Sequence, residues 1–148
     1  MIEVRVQAGD FDPGAEMARL HGGRDDVGAV ASFVGLVRGG DVRAMTLEHY
    51  PGMTERQLRA VADEAAARWP LQGIVVVHRH GRLVPGDRIV LVAVASPHRA
   101  AAFDACAFLM DWLKTRAPFW KREETADGER WVEAKADDDR AAARWLDD

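Results

Sequence analysis

Residues 114–122 read Lys114-Thr115-Arg116-Ala117-Pro118-Phe119-Trp120-Lys121-Arg122. In this stretch we predict that a helix ends and a strand begins. Upstream, residues 100–113 are rich in Ala, Leu, Phe and Met, which predicts a helix that buries one broad face and carries Lys114 in its last turn. Pro118 biases Ala117 away from helical dihedrals, so the helix should end there. Residues 119–125 should then continue as a strand.

The predicted strand sorts its side chains onto two faces, because successive residues point to opposite sides. The faces hold Phe119, Lys121 and Glu123 on one side and Trp120, Arg122 and Glu124 on the other. A lysine at the helix end and a lysine at the strand start can therefore reach one pocket. A plainer interpretation stays open, since cations near a helix C-terminus complement the macrodipole and cap free carbonyls, which alone would explain Lys114 and Arg116.

Length and composition indicate a single domain over residues 1–148. A chain of 148 residues with 48% hydrophobic residues is long enough for one core and short for two. No apolar run is long enough to span a bilayer and the N-terminus lacks the pattern of a signal peptide, so we expect a cytosolic protein with no membrane partner. Cys106 is the only cysteine, which excludes an internal disulfide and suits a reducing compartment.

Charge narrows the class of partner. The net charge of −4 and the isoelectric point near 5.7 argue against nucleic acid as the main partner, because binding to a phosphate backbone is driven by a basic surface. A local basic pocket in an acidic protein instead favours one small anion or one specific acidic tail.

Strands and helices alternate irregularly along the chain. Apolar–polar alternation and β-branched runs predict strands at 2–7, 27–37, 42–50, 73–78, 89–94 and 130–135. We expect 27–37 to be a long central strand, and 73–78 to be buried on both faces and to form a hairpin-like unit with 89–94. Capping signals predict helices at 13–20, at 54–69 and at 140–146. Three acids, Asp137 to Asp139, should open the last helix, and Trp145 and Leu146 should dock it.

Cations also occur at two places where a chain usually turns. Arg38 ends a predicted strand beside Gly39 and Gly40, which would let a ligand come close, although a solvated turn residue explains it equally well. His98 and Arg99 follow Ser96, the expected N-cap of the long helix. Cations are disfavoured at a helix N-terminus, so this placement indicates a bound anion, with an outward-pointing surface ion pair as the alternative.

Metal and thiol chemistry have little support in the sequence. His78 and His80 lie two residues apart, but no cysteine or carboxylate nearby completes a ligand set, so we predict a polar strand end and no metal. Cys106 lies among apolar helix positions and is expected to pack in the core, because a reactive thiol needs an exposed, electropositive setting.

Several motifs together resemble one family. They are Val27-Gly28-Ala29-Val30 through Phe33-Val34-Gly35 to Val37-Arg38, Leu47-Glu48-His49-Tyr50-Pro51-Gly52-Met53, His78-Arg79 with Gly81, Pro85-Gly86-Asp87, Ser96 with His98-Arg99, and Leu113 to Lys121. Over nearly the whole chain these blocks resemble the large, catalytic subunit of molybdopterin synthase. The resemblance implies an α+β fold of the hammerhead type, consistent with the mixed element order, and no bound cofactor.

The same resemblance implies an assembly and a reaction. Family members are homodimers that carry a small ubiquitin-like subunit at each end, giving a heterotetramer, and the Gly-Gly tail of the small subunit ends in a thiocarboxylate. Sulfur passes from two such tails to cyclic pyranopterin monophosphate and forms the dithiolene of molybdopterin.

When the motifs are matched one by one, the resemblance also implies which residues of this chain take part in the reaction. The catalytic residues would be Lys114 and Lys121. Because a lysine between other cations should have a lowered pKa, we expect Lys121 to act as general acid and base and Lys114 to steer the tail carboxyl, or the reverse. The substrate-binding residues would be Leu36, Val37, Arg38, His98, Arg99, Lys114, Lys121, Arg122 and Glu123. One departure is the short turn at 38–42, where many relatives carry a longer loop, which leaves the shape of the pocket lid open.

Two other functions fit parts of the sequence. A module that captures a glycine-rich tail without catalysis would use the lysines only as anion contacts, but it would not need Arg38 as well. A nucleic-acid-binding domain built on the basic stretch is disfavoured by the net charge of −4, and its binding would weaken steeply with salt.

Overall fold

The computed structural model describes residues 1–132 and 136–146. Eight strands and four helices are found in these residues. They are β1 (Ile2–Gln7), α1 (Pro13–His21), β2 (Ala29–Leu36), β3 (Val42–His49), α2 (Met53–Arg68), β4 (Gly73–Arg79), β5 (Gly81–Leu83), β6 (Arg88–Ser96), α3 (Arg99–Arg116), β7 (Phe119–Thr125), β8 (Gly128–Val132) and α4 (Ala136–Ala143). No helix in this part of the chain is both long and apolar enough to cross a membrane.

Two four-stranded sheets organise the molecule. The first, sheet A, has the order β1-β4-β6-β2, with β1 parallel to β4 and the other pairs antiparallel. The second, sheet B, has the order β5-β3-β7-β8 and is antiparallel throughout. The α+β class predicted from the sequence is confirmed, and its finer description as a hammerhead stays a prediction.

The core forms on both faces of sheet A. Ile74 and Val76 of β4 pack with Phe108 of α3, while the alternate residues Val75 and Val77 pack with the α1 side of the sheet. This alternation explains the β-branched run, because each buried side chain contributes about 1.5–3 kcal/mol relative to exposure. The predicted burial of 73–78 on both faces is confirmed, as is its antiparallel pairing with the strand at 89–94.

The prediction that 27–37 forms a central strand is wrong. Within the described residues, β2 pairs only with β6 and lies at the edge of sheet A. Its apolar composition is misleading, because two of its large side chains, Phe33 (40% exposed) and Leu36 (54% exposed), face outward. On α3, Phe103 is 67% exposed. Exposed apolar side chains on an open edge strand are typical of a surface that a partner covers.

Two predicted helix starts are displaced. Ser96 is the last residue of β6 and not an N-cap, since its hydroxyl donates to the Pro70 carbonyl (2.8 Å) and the N-cap of α3 is His98. Helix α2 begins at Met53 after the N-cap Gly52, whose N–H donates to the Glu55 carboxylate (3.3 Å). The sequence pattern Thr54 to Gln57 predicted Thr54 as the cap and Gln57 as its partner, so both the cap and the partner side chain lie two residues earlier than predicted.

The C-terminal elements also differ from prediction. Strand β8 ends at Val132, and residues 133–135 of the strand predicted at 130–135 lie outside the described residues. Helix α4 spans Ala136–Ala143, so the three acids Asp137 to Asp139 lie within it and do not precede it. Trp145 docks as predicted, edge-on to Trp69 (5.6 Å) and to Phe108 (5.5 Å). Leu146 is 71% exposed and does not dock.

Candidate functional site

A cavity of about 240 Å³ lies where the C-terminal end of α3 meets sheet B. Its inner wall is formed by apolar side chains of β3, β6, α3 and β7 together with His78 at the end of β4. Lys114, Lys121 and Asp138 supply its charged groups. The lining residues are Met45, Leu47, His78, Ile89, Leu113, Lys114, Ala117, Phe119, Lys121, Val132 and Asp138.

The cavity opens into a larger cleft of about 730 Å³ that shares Lys114 and Lys121 with it. The end of β2 and the turn after it form one side of this cleft, with Leu36 in the strand and Val37 and Arg38 in the turn. Val37 is held by two main-chain hydrogen bonds, from its N–H to the Asp87 carbonyl (2.9 Å) and from the Gly86 N–H to its own carbonyl (2.9 Å). The turn that carries Arg38 is therefore fixed to the neighbouring loop.

The two lysines reach the cavity from different elements, as the sequence predicted. Lys114 is in the last turn of α3, and Ala117 ends the helix with extended dihedrals (φ −78°, ψ 129°). Lys121 is on the face of β7 that also carries Phe119, opposite Leu47 of β3 and Val132 of β8. The turn between them is anchored by Thr54, which is fully buried and donates its hydroxyl to the Pro118 carbonyl (3.0 Å).

Two cations of the site have no ion-pair partner among the described residues. Within residues 1–132 and 136–146, neither the Lys114 ammonium nor the Arg38 guanidinium has an ion-pair partner. Glu123, by contrast, is occupied by Arg130 (3.2 Å), which also contacts Asp41 (3.3 Å) in the turn after Arg38. Cations held at the wall of a cleft without carboxylate partners favour the binding of an anion.

His78 is buried at the inner wall, and its ring is fixed on two sides. Nδ1 lies 2.8 Å from the Arg79 carbonyl oxygen, which only accepts, so Nδ1 carries the proton. The ring stacks on Phe119 with 3.8 Å between centroids. Burial lowers the pKa of His78 to about 4, helped by the positive charges of Lys114, His49 and His80 and opposed by the hydrogen bond to Arg79. His78 is therefore a neutral imidazole near pH 7.

The structure brings together six of the nine predicted site residues and separates three. Leu36, Val37, Arg38, Lys114, Lys121 and Glu123 all line the cleft. Arg122 points to the opposite face of β7, where its guanidinium lies 5.5 Å from the Trp131 ring. His98 and Arg99 are exposed at the N-terminal end of α3, and fifteen residues of helix put Arg99 about 22 Å from Lys114.

Two polar residues of the cavity, His78 and Asp138, are absent from the set that the sequence predicted, as are its apolar lining residues. The sequence indicated only a polar strand end at His78, although one signal pointed further, because a histidine that closes a strand buried on both faces must itself be buried. Asp138 had no such signal, since the position of α4 depends on how the chain returns from β8. No group of three or more potential ligands among the described residues could hold a metal ion. Burial raises the pKa of the Cys106 thiol to about 11, which makes it unreactive.

The fold is α+β, and its cleft presents Arg38 and two lysines, an arrangement that can attract an anionic ligand. Residues 6–116 match the family model described as MoaE protein. Two relatives called molybdopterin synthase catalytic subunit come from Ralstonia nicotianae, at 58% identity over 98% of this chain and 85% of the relative, and from Pseudomonas aeruginosa, at 57% over 97% and 99%. The solved structure of the molybdopterin biosynthesis MoaE protein from Burkholderia ambifaria matches with a TM-score of 0.86 and 54% identity over 99% of both chains.

The chain therefore belongs to the MoaE family, the family of the molybdopterin synthase catalytic subunits that act in molybdenum cofactor biosynthesis.

Proposed function

We propose that this chain transfers sulfur from the C-terminal thiocarboxylate of a small ubiquitin-like subunit to cyclic pyranopterin monophosphate, and that residues 1–148 act as one domain in doing so. The observation that carries the proposal is the pair Lys114 and Lys121 facing one cavity, with Arg38 at its mouth. Both ligands are anionic, one through a phosphate and one through a thiocarboxylate. The cleft offers cations to each.

The use of lysine in this chain supports a role in proton transfer. Of the 20 lysine and arginine residues only three are lysines, namely Lys114, Lys121 and Lys135. Arginine stays charged at any pH that a protein encounters, whereas a lysine is able to give up a proton. We propose that Lys121, the more enclosed of the two cavity lysines, is the general acid and base, and that Lys114 holds the tail carboxyl.

The separated residues His98 and Arg99 lead to a proposal about the assembly. Strand β2 starts beside the N-terminus of α3, since Ala29 is opposite Ser96, and it ends next to Arg38. Its eight residues cover about 23 Å, nearly the length of α3 between Arg99 and Lys114. An antiparallel two-fold pairing of two β2 edges would therefore bring the N-terminus of α3 in one copy to the Arg38 side of the other.

We propose that each cleft is completed in this way by His98 and Arg99 from the second copy of a homodimer. The exposed side chains of Phe33 and Leu36 on the edge strand would then be buried between the copies. The anion that we predicted at the N-terminus of α3 would be the substrate in the partner's cleft.

The test mixes the purified protein with a thiocarboxylated small subunit and cyclic pyranopterin monophosphate and follows dithiolene formation. We expect the wild type to form product, and Lys114→Ala and Lys121→Ala each to lower the rate at least 100-fold. Arg116→Ala is the matched control, because Arg116 lies at the same end of α3 but is paired with Glu64 (2.6 Å). It should retain near wild-type activity.

Binding of the small subunit is measured in parallel by calorimetry. Tight binding by a wild type that makes no product would identify a tail-binding module and would overturn the catalytic proposal. If neither lysine variant lowers the rate, the two lysines do not carry the reaction.

A further inference from the structure

A buried imidazole lines the cavity beside the two lysines, and none of the roles proposed so far uses it. His78 is 5% exposed and is the last but one residue of β4, whose residues 74–77 form part of the core. It shares the cavity wall with Lys114 and Lys121. A buried polar ring normally has each of its polar atoms matched to a partner.

The orientation of the ring is set by groups that do not belong to the cavity. The Arg79 carbonyl takes the Nδ1 proton at 2.8 Å, and Phe119 covers one face of the ring at 3.8 Å. A hydrogen bond at Nδ1 fixes the tautomer, so that Nε2 keeps its lone pair. Nε2 is on the opposite edge of the ring from the Arg79 carbonyl, and it is the only ring nitrogen left to accept a hydrogen bond.

Lys114 lines the same cavity and is a donor that such an acceptor can serve. It has no ion-pair partner among the described residues and its side chain is exposed, so its four-carbon stem is free to move. Fixing a lysine side chain costs up to about 2 kcal/mol of rotamer entropy. A hydrogen-bond acceptor on the cavity wall offsets part of this cost, so the ligand has to offset less of it. A carboxylate in place of His78 would neutralise the cleft, whereas a neutral imidazole accepts a hydrogen bond and leaves the positive charge available.

We propose that His78 is a positioning residue for Lys114, whose ammonium donates to Nε2 of His78 and is thereby directed across the cavity towards the bound tail. The predicted effect of His78 on the reaction rests on the proposed function. The hydrogen bond itself needs no ligand, so it can be tested in the protein alone.

The first experiment records the side-chain nitrogen resonances of 15N-histidine-labelled protein with no ligand added. We expect the Nε2 resonance of His78 to move when Lys114 is replaced by Met, because the donor is lost, and to stay in place in the control Arg116→Met. His78→Asn identifies the resonance. An Nε2 resonance that is the same in the wild type and in Lys114→Met overturns the proposal.

The second experiment compares three substitutions of His78. His78→Gln places an acceptor near the position of Nε2, whereas His78→Asn keeps only a donor near Nδ1 and His78→Phe keeps only the stacked ring. With 13C-labelled lysine, the order parameter of the Lys114 side chain should fall in His78→Asn and His78→Phe and be restored in His78→Gln, with Lys121 as the internal reference. Equal order parameters in all four proteins would contradict the proposal even if one variant folds poorly.

Product formation provides the readout in the reaction. We expect about a tenfold loss of rate in His78→Phe and in His78→Asn, with unchanged affinity for the small subunit, and recovery in His78→Gln. If the wild type itself makes no product, the proposed function fails, while the two spectroscopic experiments still decide the hydrogen bond.

Discussion

The two ends of α3 both carry cations, but their surroundings differ. At the C-terminal end, Lys114 complements the macrodipole and enters a cavity that β7 completes with Lys121. At the N-terminal end, His98 and Arg99 oppose the macrodipole and are exposed to solvent. One copy of the chain therefore has a pair of cavity lysines at one end of the helix and, at the other end, cations that lie outside the cleft formed by the described residues.

The largest expected effect is a loss of product formation, and mixed dimers test which copy's cleft the cations at the N-terminal end of α3 serve. Lys121→Ala and Arg99→Ala should each lower product formation about 100-fold as homodimers. If Arg99 acts in the partner's cleft, a dimer with one copy of each variant contains one cleft with both defects and one intact cleft. Co-refolding the two variants in equal amounts should then restore about a quarter of the wild-type rate, because half of the dimers are mixed.

The opposite arrangement gives a clear result in the same experiment. If Arg99 acts on its own copy's cleft, both clefts of a mixed dimer are defective and no activity returns. Phe33→Asp serves as a control, since a charge on the β2 edge should prevent pairing and abolish the recovery.

The next effect concerns the pH dependence of stability that is due to His78, the neutral imidazole in the cavity wall. His78 has a folded-state pKa of about 4 against an ordinary value of 6.5. Between these values the unfolded chain binds a proton that the native state excludes, so the free energy of unfolding should fall as the pH drops from about 6.5 to about 4. The loss due to this residue should reach about 3 kcal/mol, from 1.36 kcal/mol per pH unit. Urea titrations of the wild type and His78→Phe should diverge over this range, and parallel curves would show that His78 does not titrate in this way.

A smaller effect is expected at the joint that holds the C-terminal end of α3. Thr54→Val removes the hydroxyl that accepts from the Tyr50 N–H (3.0 Å) and donates to the Pro118 carbonyl (3.0 Å), but it keeps the volume. Leaving these buried groups without a partner should cost about 1–3 kcal/mol in the free energy of unfolding. Thr54→Ser retains the hydroxyl and should lose less. A Val variant as stable as the wild type would show that water replaces both bonds.

The smallest effect marks the outer limit of the site. Arg116 is two residues beyond Lys114, and its ion pair with Glu64 is partly exposed, so Arg116→Ala should change the free energy of unfolding by less than about 1 kcal/mol. The salt dependence of stability should change equally little. A loss of several kcal/mol would place Arg116 among the groups that fix the end of the helix.

Much of the fold and part of the site could be predicted from local sequence. The helix end at Ala117 followed from Pro118, and the facing of Lys121 followed from strand alternation, so local patterns alone were enough to predict that the two lysines share a pocket. The edge position of β2 could not be predicted, because an apolar strand has the same composition whether it is covered by its own sheet or left open for a partner.

Local sequence determined where the chain changes direction, which side chains share a face and which family the motifs resemble, because dihedral preferences and strand or helix periods are local properties. Tertiary packing determined that His78 lines the same cavity as Lys114, that Arg122 points away to Trp131 and that Arg99 is about 22 Å from Lys114. These distances depend on how sheets A and B and α3 pack on one another, and such contacts between residues far apart in sequence leave no local pattern.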